Sequence, residues 1–333
     1  MLRFTPQQTA FVLNSRRSFN ASQAAIAERF GLQNGQDMIG NALPLPKDVW
    51  GEWDREAVAL QRTSLAVFND LAASVAMPMD IGKLVHHFQT VSDSGDATVS
   101  LDGRSKGRTD QPVMAYHGTP LPITSSPFSY GWRQVRAAAS EGFQLDAAGR
   151  DNANRTVAET LETLTLDGNA NIVVGGDALY GLRTHPNRNT RTTGIALNGA
   201  SGAQWVAEMN ATLKLLQDKN FRVPATVYVN WADWRYAQTT DFKAESDKTI
   251  AQRIMEDGMI RNIVPADSVA AGQIIAVIKD RRSVQILNGM PLTNRAQFRA
   301  NPEDDYNFVS MAAASLEIKF DADANCGVAV SSL

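Results

Sequence analysis

PFSYGWRQVRAAASEGFQLDAAGRDNANRTVAETLETLTLDGN, residues 127–169, joins two kinds of periodicity in one stretch. Phe128, Tyr130 and Trp132 alternate with small or polar residues, the period of a strand with one covered face. From Leu145 to Leu166 the period becomes helical: Ala153, Val157, Leu161 and Leu164 make one stripe, and Asp167-Gly168-Asn169 stops it. Such a stripe must pack on something supplied by the rest of the chain.

Upstream, residues 80–135 read as a long, thin antiparallel excursion, poor in core-forming residues for its length. Strands are expected at Ile81–Val91, Ala97–Leu101 and Val113–His117, separated by SDSGD, SLDGRSKGRTDQP (residues 100–112) and GTPLP, all turn chemistry. Earlier still, Pro44 and Pro46 open a helix with Val49, Trp50, Trp53, Ala57 and Leu60 at three- and four-residue spacing, continuing to Leu65, Phe68 and Leu71. Residues 1–45 resemble an arm more than a domain, with one short amphipathic helix near Ser22–Phe30.

Downstream lies a second helix from about Gly202 to Phe221, striped by Trp205, Val206, Met209, Leu213 and Leu216. A compact block follows: strand Val223–Val229, a helical turn at Trp231–Tyr236, helix Lys248–Asp257, and strands Ile260–Val264, Gln273–Lys279 and Val284–Leu287. Tyr306–Leu333 returns to strand, with Leu316, Ile318 and Phe320 alternating against Glu317 and Lys319. This mixed order implies α+β rather than a doubly wound sheet.

The 333 residues are 44% apolar and 20% charged, as in folded globular proteins. A formal charge of −3 supplies no basic field for gripping nucleic acid. The single Cys326 excludes an internal disulfide and fits a reducing cytoplasm. The N-terminus lacks a signal peptide's continuous apolar core, and the longest uncharged apolar stretch, Ser268–Ile278, is far below the ~20 residues a spanning helix needs, so a soluble protein is expected.

GRSKGRT at 103–109 lacks the spacing of a phosphate loop, and VVGGDALYG at 173–181 never forms G-x-G-x-x-G and reads as a hinge between domains. His86 and His87 are adjacent on a strand, so they point to opposite faces, while His117 and His185 have no Cys, Asp or Glu at ligand spacing. No G-x-S-x-G is present, and Cys326 reads as a buried small residue. Glu303, Asp304 and Asp305 read as a solvated turn, and the aromatic residues of WADWRYAQ as packing. No catalytic, cofactor or metal residue is assigned, and an unrelated α+β enzyme is retained only as a rival. What remains is architectural: an arm, a protruding hairpin and a compact block. An isolated two-stranded hairpin is marginal in water, and a partner subunit is the simplest cover for it.

In that order, the chain resembles the major capsid proteins of tailed bacteriophages with the Hong Kong 97-type fold, in the branch that includes the encapsulins. LPLPKDVWGEWDREAVALQR is similar to the Pro-rich opening and Trp-containing helix of that branch, and MDIGKLVHHFQTVSDSGDATVSLDG to the start of its extended loop. The stretch quoted first resembles the returning strand and the long spine helix, GGDALYGLRTHPN the crossing into the axial domain, and IRNIVPADSVAAGQIIAVIKDRRSVQILNGMPL the late axial strands. The resemblance covers roughly residues 40–333. It implies an N-terminal arm and helix at 1–76, an extended E-loop at 77–135, a peripheral domain with the spine helix at 136–172 joined by 300–333, and an axial domain at 173–299.

It further implies a non-enzymatic protein that assembles with itself, through pentamers and hexamers, into an icosahedral shell enclosing double-stranded DNA without sequence-specific binding. The same fold also serves encapsulin nanocompartments around cargo enzymes. The virion is the expected location, with assembly in the host bacterial cytoplasm, no membrane, no cofactor, and scaffolding, portal or decoration proteins as further partners. Some relatives begin with a cleaved scaffolding segment; here only about 45 residues precede the first strong helix, so scaffolding is expected from another protein. The stretch 100–112 becomes the far tip of the E-loop, with Arg104, Lys106, Arg108 and Asp110 offered to an adjacent subunit.

Overall fold

The computed structural model describes residues 66–333, apart from 94, 96, 98, 100, 103–110, 142–144, 244–246 and 300, together with positions 7, 10, 13–15, 17, 18 and 21. Two compact units divide the chain, Met1–Ala57 and Val58–Leu333. In the first, every described position is helical, which the sequence reading does not anticipate. The helices expected at 22–30 and 49–65 lie outside the described residues.

In the second unit, helix α1 (Val67–Val75) runs into β1 (Ala76–Pro78), and β2 (Val85–Val91) pairs with β3 (Met114–Pro120). Strand β4 (Ile123–Tyr130) leads through α2 (Trp132–Glu141) to α3 (Leu145–Leu166), then to the short hairpin β5 (Gly168–Val174) and β6 (Asp177–Tyr180). Next come β7 (Asn189–Thr192), α4 (Gly202–Gln217), β8 (Ala225–Asn230), α5 (Trp231–Thr239), α6 (Ile250–Met255), β9 (Ile260–Ala266) and β10 (Ile274–Val277). The long strands β11 (Val284–Ala296) and β12 (Tyr306–Ile318) follow, then β13 (Val328–Ser332). The chain is α+β, as expected.

Two larger sheets organise these elements: a four-stranded one ordered β1-β11-β12-β4 and a five-stranded one ordered β7-β13-β10-β8-β9. In the latter, side-chain alternation divides the core. Val227, Val229, Ile274, Ala276 and Ala329 face Trp205, Met209, Leu213, Leu216 and Ile250 of α4 and α6. Tyr228, Ile275, Val277, Val328 and Val330 face the other way and join Ile286, Leu316 and Ile318 of the four-stranded sheet with Leu71 and Val157 of α1 and α3. Local signals start the helices: Ser201 and Gln204 form a capping box on α4, Thr249 and Gln252 another on α6, and the Asn230 side chain accepts from Ala232 N at the start of α5.

Helix α3 is 22 residues long, ~33 Å at 1.5 Å per residue. It lies across β4 and β12, with Ala153, Val157 and Leu161 buried as expected. Leu164 is only half-buried, because the last turn is enclosed instead through Glu162, Thr165 and Leu166. Phe128 stacks on Phe308 with ring centroids 5.2 Å apart, and Ser310 Oγ donates to Asn154 Oδ1 at 2.6 Å. Gly149 is required where α3 crosses this aromatic row, since a Cβ there would lie 1.8 Å from the Tyr130 hydroxyl oxygen.

Polar ties lock the helices in place. The buried Glu162 carboxylate accepts from the N–H groups of Val67 (3.1 Å) and Phe68 (2.7 Å) at the start of α1, and from Ser268 Oγ at 2.7 Å. A carboxylate at a helix N-terminus satisfies donors with no partner inside the helix and sits at the positive end of its dipole. Arg183 adds a second tie, donating to Asp167 at the end of α3, to Gln273 Oε1 at 2.9 Å and to Ser268 O at 2.6 Å.

Four expectations are corrected. The described positions at 97, 99 and 101 carry no strand, since the pairing of β2 with β3 ends at Val91 and Met114. The strand through Phe128 ends at Tyr130; Trp132 opens α2 instead, where Gly131 N donates to Gln134 Oε1 and Arg133 and Arg136 flank the indole. VVGGDALYG is the turn of β5–β6 rather than a hinge: Gly175 (φ +66°) and Gly176 (φ +97°) form a two-residue hairpin loop, the backbone that two positive-φ residues favour. Strand β11 runs on to Ala296, because bulges between Asn288 and Thr293 absorb Gly289 and Pro291 without ending the pairing to β12.

Replacing Glu162 with Ala strands the two N–H groups and the serine hydroxyl. We expect a loss of about 2–3 kcal/mol in denaturant unfolding of the unassembled chain, with Glu162→Gln losing less; unchanged midpoints in both would remove this tie from the fold's stability.

Candidate functional site

Arg104, Lys106, Arg108 and Asp110 lie outside the described residues. The structure describes the stem that carries them: β2 and β3, paired from Val85↔Pro120 to Val91↔Met114 as a sheet of two strands. Away from its base the stem is apolar and open, with Val91, Val113, Met114 and Tyr116 exposed, Tyr116 at 69%. An exposed apolar ribbon of two strands is marginal alone and presents free backbone edges. It is the surface of this chain that most needs a partner.

The stem's base is held firmly. Glu317, fully buried on β12, accepts from His86 Nδ1 at 2.7 Å and from Gln285 Nε2, with Lys319 Nζ 3.8 Å away. His86 thus turns inward while His87 stays exposed, the opposite-face arrangement read from their adjacency. Gly118 sits where a Cβ would lie 2.3 Å from Asp177 Oδ2 and 2.7 Å from Val85 Cγ1, so β3 packs closely on the β5–β6 hairpin and a side chain there would displace Asp177 or Val85.

Between these elements is a cavity of about 190 Å³ lined by Phe88, His117, Asp177, Tyr180, His185 and Phe320, among others. Phe320 is its hub: Phe88 meets it edge-on at 5.5 Å, His117 at 4.5 Å and His185 at 5.8 Å, and Tyr180 packs on His185 at 5.8 Å. His185 Nδ1 accepts from Asn187 N at 3.2 Å. Burial, reinforced by the Arg188 charge, lowers the His185 pKa to about 4, so the ring is neutral at physiological pH.

These residues come from segments far apart in sequence. No spacing rule links 117, 177, 185 and 320; only the register of β2–β3 and the glycine turn of β5–β6 bring them together. The sequence reading finds no Cys, Asp or Glu at ligand spacing with His117 and His185, and it gives Asp177 no role. Elsewhere, Cys326 is buried, its thiol pKa is raised by desolvation, and Sγ lies 3.1 Å from Asn187 O, which fits the packing role expected for it. Trp234 is buried in the second core, whereas Trp231 is half-exposed. Tyr228 donates to Asp70 Oδ2 at 2.8 Å, which Lys279 Nζ also meets at 2.5 Å, a tie between α1 and the five-stranded sheet. Burial, followed by the charge of Asp70, raises the Tyr228 pKa. Among the described residues no group of three or more His, Cys, Asp or Glu is placed to hold a metal ion, and no helix is long and apolar enough to cross a membrane.

A model described as "Family of unknown function (DUF6260)" matches residues 40–331. The chain belongs to that family. No curated protein matches the sequence. Among solved structures, the capsid of Myoviridae phage XM1 superposes with a TM-score of 0.67 at 12% identity, covering 88% of this chain and 98% of that one. The capsid of a native GTA particle gives 0.59 at 13% identity, over 90% of this chain and 98% of that one. A virus-like particle from Pyrococcus furiosus gives 0.52 at 13% identity, over 79% and 94%. The fold is therefore the Hong Kong 97-like capsid fold, as the resemblance in the sequence implied.

The depressed His185 pKa makes folding pH-dependent. In the unfolded chain the imidazole titrates near 6.5, in the folded chain near 4. Between those values the unfolded state binds a proton that the folded state refuses, so this contribution is complete above pH 6.5 and is lost as pH falls toward 4, by at most ~3 kcal/mol. A His185→Phe variant should lose less stability than wild type between pH 7 and 4.5 in denaturant unfolding; equal losses would assign the acid sensitivity to other groups.

Proposed function

We propose that the chain is the major capsid protein of a tailed bacteriophage, assembling through pentamers and hexamers into an icosahedral shell around a double-stranded DNA genome. The observation that carries this reading is the correspondence with the phage XM1 capsid chain along almost the whole of both chains. On it, the stem β2–β3 with β4 is the E-loop at 77–135, α3 with β12 forms the peripheral domain (136–172 and 300–333), and the five-stranded sheet with α4, α5 and α6 forms the axial domain at 173–299. Strands β11 and β13 cross this division, one pairing with β12 and the other with β10.

The mechanism is assembly rather than turnover. An apolar side chain of the stem, such as Val91 or Met114, gains about 1.5–3 kcal/mol if a neighbouring copy covers it completely. The cost of ordering and docking offsets much of that, so each contact stays reversible while many together hold. A donor surface on one copy meeting a different acceptor surface on the next is a heterologous contact, which closes into rings. A formal charge of −3 avoids a cationic wall that would trap DNA during packaging. Scaffolding, portal and decoration proteins are the further partners, the host cytoplasm the assembly site and the virion the destination.

The likeness to the Pyrococcus furiosus virus-like particle supports a second reading, an encapsulin nanocompartment around cargo enzymes. The contents of purified particles, genome DNA or protein cargo, separate the two.

Electron microscopy of the expressed protein should show closed shells or capsomer rings, whereas a stable monomer at high concentration would exclude both shells. Changing Arg104 and Arg108 together to Glu should reduce particle yield by tenfold or more while leaving the circular dichroism melt unchanged. Normal particles from that variant would remove the loop tip from the interface.

A further inference from the structure

The cavity at the stem's base contains a carboxylate with nothing to bind. Asp177 is half-buried, and among the described residues its carboxylate makes no hydrogen bond and no ion pair. Its Oδ2 rests against Gly118, where an added Cβ would lie 2.3 Å from it. The carboxylate is only partly shielded from water, and it gains no protein partner. No lysine or arginine lines the cavity. Phe88, Tyr180 and Phe320 present aromatic surface, whose faces carry negative potential. His185 adds no positive charge, since its Nδ1 is committed as the acceptor of the Asn187 N–H. Arg188, the nearest cation on that turn, donates to the His185 carbonyl at 2.9 Å and is not among the lining residues. The lining therefore supplies no lysine or arginine as a fixed counter-charge to Asp177.

We propose that this cavity binds an organic cation, an alkylammonium or guanidinium head, with Asp177 as its counter-ion and Phe88, Tyr180 and Phe320 as the walls that replace its hydration. A volume of about 190 Å³ holds such a head with part of an alkyl stem. The neutral walls favour a diffuse organic charge over a small metal ion, which would require several oxygen ligands. Two sources share this chemistry: a free polyamine, or a lysine or arginine side chain of a neighbouring copy. The second source rests on the shell reading above, whereas the site itself does not.

The test uses the full-length unassembled chain with n-butylammonium and methylguanidinium as probes and 1-butanol as the uncharged control. Both cations should raise the melting temperature and shift the side-chain NMR signals of Tyr180, while butanol should do neither. Asp177→Asn should weaken the cation response at least tenfold, and Tyr180→Ala by a smaller factor, with the folded spectrum retained in each. Assembled particles then distinguish the sources: if a neighbour's side chain fills the cavity, particles lose the probe response and Asp177→Asn lowers assembly yield. If free cations fill it, particles keep the response and assembly is unaffected. A cation response that is absent from the unassembled chain, or unchanged in Asp177→Asn, overturns the proposal whether or not shells form.

Discussion

One buried carboxylate holds three parts of this molecule in register. Glu162 sits near the end of the long helix α3, closes the N-terminus of α1 with two backbone hydrogen bonds, and receives the Ser268 hydroxyl from the loop between β9 and β10. Removed from water, that charge is tolerable only with several donors aimed at it, so helix, helix and loop must arrive together. Arg183 binds the same loop to the end of the same helix, and the apolar core between the two sheets closes around both ties. Packing supplies most of the stability there, and the polar ties select the arrangement in which the N–H groups of Val67 and Phe68 and the Ser268 hydroxyl all meet one acceptor.

The stem of β2 and β3 has the opposite character. Its base is fastened by Glu317, by the aromatic and histidine cluster around Phe320, and by the glycine contact at 118, while its outer part presents apolar residues to solvent. Buried polar contacts anchor this ribbon while its length stays uncovered, which suits the proposed role of docking on a neighbouring copy. The anchorage and the exposure are two halves of one device, because a loose stem would deliver its apolar surface with no direction.

Much of this was legible in the residues. The helix Leu145–Leu166 and the alternating run through Phe128 and Tyr130 declare themselves by periodicity, because each buries one face against a neighbour and keeps the other wet. The expected strand stops at Leu287, whereas β11 continues past Gly289 and Pro291, because a long partner strand with room for bulges carries the pairing through them. The glycines of VVGGDALYG read as flexibility and prove to be a tight turn, since one composition serves both uses. The lining of the cavity was out of reach for a different reason. His117, Asp177, His185 and Phe320 converge through tertiary packing alone, which no local period encodes. The predicted contact residues at the loop tip came from the resemblance, and they fall outside the described residues.

The way the chain passes between its sheets has a mechanical consequence. It crosses at 278–283 and returns at 319–327, and these two passes are stitched side by side: Ile278 N donates to Gly327 O at 3.0 Å, Lys319 N to Ser283 O at 2.8 Å, and Phe320 bridges to Cys326. Asn189 adds a cross-brace by donating to the carbonyls of Cys326 and Val328. Sliding one sheet over the other would load covalent backbone and several hydrogen bonds at once, so this joint resists shear as a riveted seam does. Among the described residues, the two-stranded stem has no such bracing beyond its base. Strain imposed on the molecule by its surroundings should therefore be taken up by bending of the stem, leaving the body to move as a rigid block.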